Sequence, residues 1–247
     1  MHVVVITGGS RGIGASAAVL AARRGMGVIL TYKSNRDAAD AVVRRIEAEG
    51  GKAVSLQLDA GDAASFEGFR ERVHAALQGT WNQATLGGLV NNAGYGLFAP
   101  LAAVTPAEFD GLMNVHLKGP FFLTQALLPL LGEGASIVNL TSATTRVATA
   151  GVAPYAACKG GLEVLTRYMA KEFGARRIRA NAVSPGAIRT GLGGGLDEEF
   201  EAVLAAQTAL GRVGEPDDVG RVIAHLLSSD SGWINAQSIE VGGGYII

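Results

Sequence analysis

The chain has 247 residues, a net charge of −1 from 21 basic and 22 acidic side chains, and 48% apolar composition, so one α/β domain with a substantial core is expected. The near-balanced charge, with no basic stripe, argues against nucleic acid and anionic membrane surfaces as partners. Cys158 is the only cysteine, which excludes an internal disulfide framework and any multi-cysteine metal site. Met1 leads straight into a strand-like run, leaving no room for a signal peptide, and no apolar run reaches membrane-spanning length. A cytoplasmic enzyme of small molecules is the expectation.

In chain order, His2 to Thr7 carries Val3, Val4, Val5 and Ile6, a β-branched run that reads as a strand buried on both faces. Gly8, Gly9, Gly12 and Gly14, interleaved with Ser10, Arg11 and Ile13, follow at once and open a helix from Ile13 to Arg24 that Gly25 ends. Strand, glycine turn and helix make a phosphate cradle. Backbone N–H groups and the positive dipole end attract a pyrophosphate, and missing side chains let it approach. Gly12, Gly14 and Ala17 also fit the dinucleotide pattern Gly-x-Gly-x-x-Gly/Ala.

The next strand, residues 27 to 32, ends at Tyr32, Lys33 and Ser34, where an NAD site places an acid for the ribose 2′-hydroxyl. None is present; the first acid is Asp37, whereas Arg11, Lys33 and Arg36 stand ready for a 2′-phosphate, so NADP(H) is the expected cofactor. A helix from Asp37 to Glu49, a strand over 53–58 and a helix over 63–77 with Phe66, Phe69, Val73 and Leu77 on one face come next. Either Asp59 or Asp62 can cap that helix. Further strands are expected at 86–91, 135–141, 178–183 and 237–241, and an apolar helix spans Phe121 to Leu131. Repeated β-α-β units argue for a doubly wound parallel sheet of about seven strands.

Pro154 suits the first turn of a helix that carries Tyr155 and Lys159 four residues apart, hence on one face. An ammonium beside the phenol favours phenolate and is expected to lower a pKa of about 10 towards working pH, as acid–base catalysis requires. Ser142, thirteen positions upstream, can hold a substrate oxygen between itself and Tyr155. The stretch 187–210, rich in glycine and then in acids, reads as a lid. The four histidines lack metal-ligand spacing and read as structural, and Arg146 points either to a polar substrate or to solvent.

Thr7-Gly8-Gly9-Ser10-Arg11-Gly12-Ile13-Gly14, Asn91-Asn92-Ala93-Gly94, Ser142, Tyr155-x-x-x-Lys159 and Pro185-Gly186, in this order over almost the whole chain, resemble the short-chain dehydrogenase/reductase family. The resemblance implies a single Rossmann-type domain and a tetrad of Asn114, Ser142, Tyr155 and Lys159. Tyr155 would be the acid or base, Ser142 would orient the carbonyl, Lys159 would lower the tyrosine pKa and bind the nicotinamide ribose, and Asn114 would hold a water in the relay. It further implies adenine contacts from Asp59 and Ala60, a cofactor lining from Asn91, Ala93 and Gly94, a nicotinamide site at Pro185, Gly186, Ile188 and Thr190, and a homotetramer or homodimer. A carbonyl or alcohol is the implied substrate. Among subgroups the chain resembles 3-oxoacyl carrier-protein reductases, although Gln125 to Leu131 lacks basic residues for an acidic carrier and Arg176 and Arg177 alone are a thin substitute. A non-catalytic NADP(H)-binding regulator on the same fold is the alternative outside enzymology.

Overall fold

The structure, a computed structural model, describes residues 2–247. Its strands are β1 (Val3–Ile6), β2 (Gly27–Tyr32), β3 (Ala53–Gln57), β4 (Leu86–Asn91), β5 (Leu131–Leu140), β6 (Arg179–Pro185) and β7 (Ser238–Val241). The main helices are α1 (Gly12–Arg23), α2 (Arg36–Ala48), α3 (Phe66–Ala76), α4 (Pro106–Met113), α5 (Gly119–Leu127), α6 (Ala153–Glu172), α7 (Glu198–Ala206) and α8 (Pro216–Leu226). All strand pairs are parallel, in the order β3-β2-β1-β4-β5-β6-β7. This is the doubly wound sheet that the alternating pattern predicts.

Strand periodicity explains why both faces are covered. Val4 and Ile6 join one core with Ala17, Ala18, Ile223 and Leu226, from α1 and α8, while Val3 and Val5 join the other with Phe66, Phe69, Leu123 and Leu127, from α3 and α5. Burying each such large side chain contributes about 1.5–3 kcal/mol. The direction of winding reverses at β1, which pairs with β2 on one side (Val4 to Val28) and β4 on the other (Ile6 to Val90). Open α/β sheets bind ligands beyond the carboxyl ends of the strands at such a reversal, and both the glycine turn and Asn91–Gly94 leave the sheet there.

Helix ends follow local chemistry. Asn35 Oδ1 accepts from Ala38 N at 2.9 Å to start α2, and Thr105 and Glu108 cap α4 reciprocally. Two boundaries differ from the sequence expectation. The helix expected to reach Leu131 stops at Leu127, because Leu131 already pairs with Leu86 in the sheet, four residues before the expected start of β5. The leucine run continues across a tight turn, so hydrophobicity alone cannot mark where helix gives way to strand. The pairing then shifts register between Leu86 and Gly88, where Gly87 lies against the His2 imidazole, which a Cβ would approach to 2.5 Å.

Candidate active site

The long helix α6 places Tyr155 and Lys159 one turn apart, and β5 delivers Ser142 two residues beyond its end. The Ser142 hydroxyl lies near enough to the Tyr155 phenol to favour its ionised form, and its Oγ accepts from Thr144 N at 3.2 Å. Lys159 is buried, with Nζ donating to Leu140 O at 2.6 Å and lying 5.5 Å from the centre of the Tyr155 ring. Three of the expected four groups are thus together. Asn114 opens a wide five-residue turn, Asn114–Lys118, that joins α4 to α5 and packs on α6 where Leu117 meets Gly161. Gly119, just after that turn, has to be glycine: a Cβ would lie 2.1 Å from Ala60 O.

The electrostatics correct one expectation. Burial pushes the Tyr155 phenol up to about 12, against the lowering from nearby Ser142, and the neighbouring ammonium does not reverse this. Lys159 absorbs the conflict itself, and burial pushes it down to about 8. A phenol held protonated at neutral pH is an acid waiting to donate, not a phenolate waiting to accept. In the reductive direction such a phenol can give its proton to a developing alkoxide.

The glycine turn fits a pyrophosphate. Gly8 (φ +64°) and Gly12 (φ +56°) take left-handed backbone that other residues strain to adopt, and a Cβ on Gly14 would sit 2.3 Å from Gly8 O. Unlike α2, α4 and α7, α1 begins without a side-chain cap or an acid in its first turn among the described residues, so its first amides are open to an anion. Ser10 and Ile13 flank the turn half-buried, Arg11 is exposed beside them, and Thr190 faces Gly12 across the cleft. Thr7, absent from the sequence-derived site, fastens the two loops of the cleft: its Oγ1 accepts from Asn92 N and Ala93 N, both at 2.9 Å.

Along the sheet edge, a cavity of about 680 Å³ is lined by Tyr32, Lys33, Arg36, Asp59, Asp62 and Arg72 among others. Lys33 Nζ is 2.8 Å from Asp59 Oδ2, and this contact holds the Asp59 carboxyl below the usual carboxylate range. The expected phosphate cation and the expected adenine contact are therefore paired with each other. Asp59 also accepts from Gly61 N, whereas Asp62 accepts from Ala64 N, so the helix cap is Asp62. Ser34 is exposed beside Lys33, and Ala60 touches Gly119 through its carbonyl.

Other expected residues take different places. The Asn91 side chain does not line the cleft: buried, it donates to Asn139 Oδ1 (2.8 Å) and Thr124 Oγ1 (3.2 Å), tying β4 to β5 and α5. Ala93 and Gly94 stay at the cleft, and Asn92, one residue on, donates to Thr7 O at 2.8 Å. Pro185 ends β6, Gly186 N donates to Val241 O, and Ile188 bridges Gly214, which fixes the start of the 187–210 stretch. Arg189 then pairs with Glu201 of α7 (Nη2 to Oε1 2.7 Å) and with Glu215 (2.9 Å). Arg146 stays exposed to solvent, but its head group is engaged within the protein. It grips Glu240 (Nε to Oε2 2.9 Å) and the carbonyls of Tyr245 and Ile246. Cys158 is a buried helix residue with Sγ 3.4 Å from Met113 Sδ, its thiol pushed up by burial. His116 lies against the ring of Tyr155 at 5.0 Å, a placement that a lone histidine among apolar residues does not reveal.

No helix among the described residues is long and apolar enough to cross a membrane. A family model described as enoyl-(acyl carrier protein) reductase matches residues 8–246. An uncharacterized oxidoreductase of Methylorubrum extorquens is 40% identical over 98% of this chain and 96% of its own length. A probable tetrahydroxynaphthalene reductase of Zymoseptoria tritici is 32% identical over 98% and 93%. The crystal structure of the angucycline C-6 ketoreductase LanV with bound NADP superposes with a TM-score of 0.95 at 33% identity, covering 99% of this chain and 95% of that one. With the glycine turn, the serine–tyrosine–lysine group and the reversal point all in register, the chain belongs to the short-chain dehydrogenase/reductase family.

Proposed function

We propose that the protein reduces a ketone to an alcohol with NADPH, and that the ketone is carried on an aromatic ring system. The observation that carries the reaction is the buried neutral phenol of Tyr155, beside Ser142 and backed by the buried Lys159. NADPH supplies the hydride to the carbonyl carbon. The hydroxyls of Ser142 and Tyr155 hold the carbonyl oxygen, Tyr155 gives its proton as the alkoxide forms, and Lys159 restores charge balance behind it. Asn114, on the wide turn beside α6, supports the proton path. The first amides of α1 would hold the pyrophosphate, with Ser10 and Ile13 beside them, and Ile188 and Thr190 would hold the nicotinamide end.

The substrate class rests on the cleft mouth. Tyr95 and Phe98 are exposed, Phe98 covers Gly151 just before α6, and Gly96 rests on Leu192 and Gly193. These apolar groups form one rim, linked to Tyr155 through the ring of His116, and the Arg146 cation is neutralised by Glu240. Flat aromatic surfaces bind well to such a rim, and the tetrahydroxynaphthalene reductase and ketoreductase relatives fit the same class. An acyl carrier protein is the second reading, favoured by the description of the matching family model. Against it, Arg177 is engaged by Glu133 and Arg176 by the carbonyls of Leu128 and Leu131. Stopped assays of NADPH consumption compare a bicyclic aromatic ketone with an acetoacetyl thioester. A higher kcat/KM for the aromatic ketone is expected, and a preference for the thioester overturns the substrate class.

The same proposal makes 187–210 a lid whose moving part is the glycine run 191–195 and α7. That helix buries none of its residues and exposes Phe200 and Val203, so a ligand offers it its missing apolar contact. A homo-oligomer is part of the reading as well, supported by the exposed Phe109, Phe121, Phe122 and Tyr168 on α4 to α6. So is the cytoplasmic location expected from the sequence. Preference for NADP(H) rests on Arg11 and Arg36, since Lys33 is held by Asp59 at 2.8 Å whereas Arg36 meets Asp40 only at 3.4 Å. Replacing both arginines by alanine is expected to raise KM for NADPH about tenfold or more while leaving KM for NADH within about threefold, because each charged hydrogen bond contributes about 1.5–3 kcal/mol. An equal change for both cofactors contradicts it.

A further inference from the structure

His116 is the third residue of the wide turn, 1% exposed, and belongs to no group described so far. Its ring meets the Tyr155 ring at 5.0 Å and 82°, and the Tyr95 ring at 5.6 Å and 45°. Nε2 lies 2.8 Å from Tyr95 O and 3.4 Å from Tyr95 N; the shorter contact is to a carbonyl, which only accepts, so this nitrogen carries the proton. Nδ1 is then a bare acceptor, buried without a protein partner, along the edge of Gly94. A Cβ at Gly94 would lie 2.6 Å from His116 Cε1, so this glycine makes room for the imidazole. The titratable groups facing the ring are Tyr155 and Lys159 from α6 and Tyr95 from the loop after β4. Burial, then the like charge of Lys159, push His116 down to about 3, which leaves it uncharged at neutral pH.

We infer that His116 is a positioning residue with two separable tasks: its ring stands as a wall that sets the Tyr155 phenol, and its Nε2–H holds the Tyr95 carbonyl and with it the aromatic rim of the cleft. The first task acts on kcat, because a phenol displaced by an ångström donates its proton poorly. The second acts on KM, because Tyr95 and Phe98 lie on the segment that Nε2 anchors.

Two substitutions separate the tasks. His116→Phe keeps an aromatic wall and removes the N–H, so KM for the aromatic ketone is expected to rise about tenfold with kcat within about threefold. His116→Gln keeps a donor and removes the wall, so kcat is expected to fall about 30-fold with KM within about threefold. NADPH affinity, read by fluorescence, should stay within about twofold in both. Parallel losses of kcat and KM in both variants, or no loss in either, overturn the inference. Should a variant not fold, the wild-type imidazole decides: ¹⁵N chemical shifts are expected to show a neutral Nε2–H ring throughout pH 5–8, and an Nδ1–H tautomer or a titration in that range overturns it. The inference rests on the ketone-reductase reading. Failure of that reading shows as a wild-type protein that consumes no NADPH, whereas failure of this one shows as a working wild type whose variants do not split.

Discussion

Replacing Tyr155 by phenylalanine is expected to lower kcat for ketone reduction by about 10³-fold while leaving NADPH affinity within about twofold, since a positioned acid contributes about 10²–10⁴-fold. The substitution deletes a single oxygen. The ring, its edge contact with His116 and its place on α6 remain, so the loss reports the proton and not the packing. Ser142 remains held by its bond from Thr144 N. A protonated phenol is the reactive form in the reductive direction, and burial keeps it protonated across the physiological range. Steady-state rates together with a fluorescence titration of NADPH make the test. Activity within tenfold of wild type rejects Tyr155 as the acid.

Lys159→Met is expected to move activity and stability in opposite directions. The ammonium is buried with one protein acceptor, Leu140 O, for three donors, among the described residues. An isosteric apolar side chain removes a charge that the interior disfavours, so unfolding free energy is expected to rise by about 1–3 kcal/mol, about 2–4 °C per kcal/mol in Tm. Turnover should fall by about 10²-fold or more as the alkoxide loses its nearby positive charge. The pH dependence separates this from a packing effect. Lys159 titrates at about 8 when folded against 10.5 when exposed, so between those values the unfolded chain binds more protons and stability rises with pH. Tyr155 works the other way above pH 10, because its folded value near 12 exceeds its unfolded value of 10.0 and the unfolded chain gives up that proton first. Wild-type Tm should therefore climb from pH 8 towards 10 and then turn down, and the methionine variant should lack the climb. A variant that melts lower than wild type at pH 7 contradicts the account.

The parts of this molecule that could be read from sequence are those fixed by near neighbours. Four β-branched residues before a glycine turn specify β1 and its cradle, and a four-residue spacing behind Pro154 specifies which groups share a face of α6. What escaped depends on partners far along the chain. Arg146 and Glu240 are 94 residues apart, Asn91 and Asn139 are 48, and Lys33 meets Asp59 only because β2 and β3 end side by side. The tyrosine pKa escaped for a different reason. Spacing reports that an ammonium is near, but the balance between its field and the loss of water depends on how deeply both are enclosed.

The central position of β1 bears on how the protein is made. Its four residues are translated well before one of its two sheet neighbours, β4, which begins at Leu86. At about 5–20 residues per second, β1 waits roughly 4–17 s before its second edge is covered, a non-local pairing of the kind that slows folding. Over that interval β2 alone shields it, and Thr7 has no Val90 carbonyl to bond. The nascent chain thus exposes one adhesive edge of Val3–Ile6 until β4 has been translated, and that edge is open to chaperones and neighbouring polysomes.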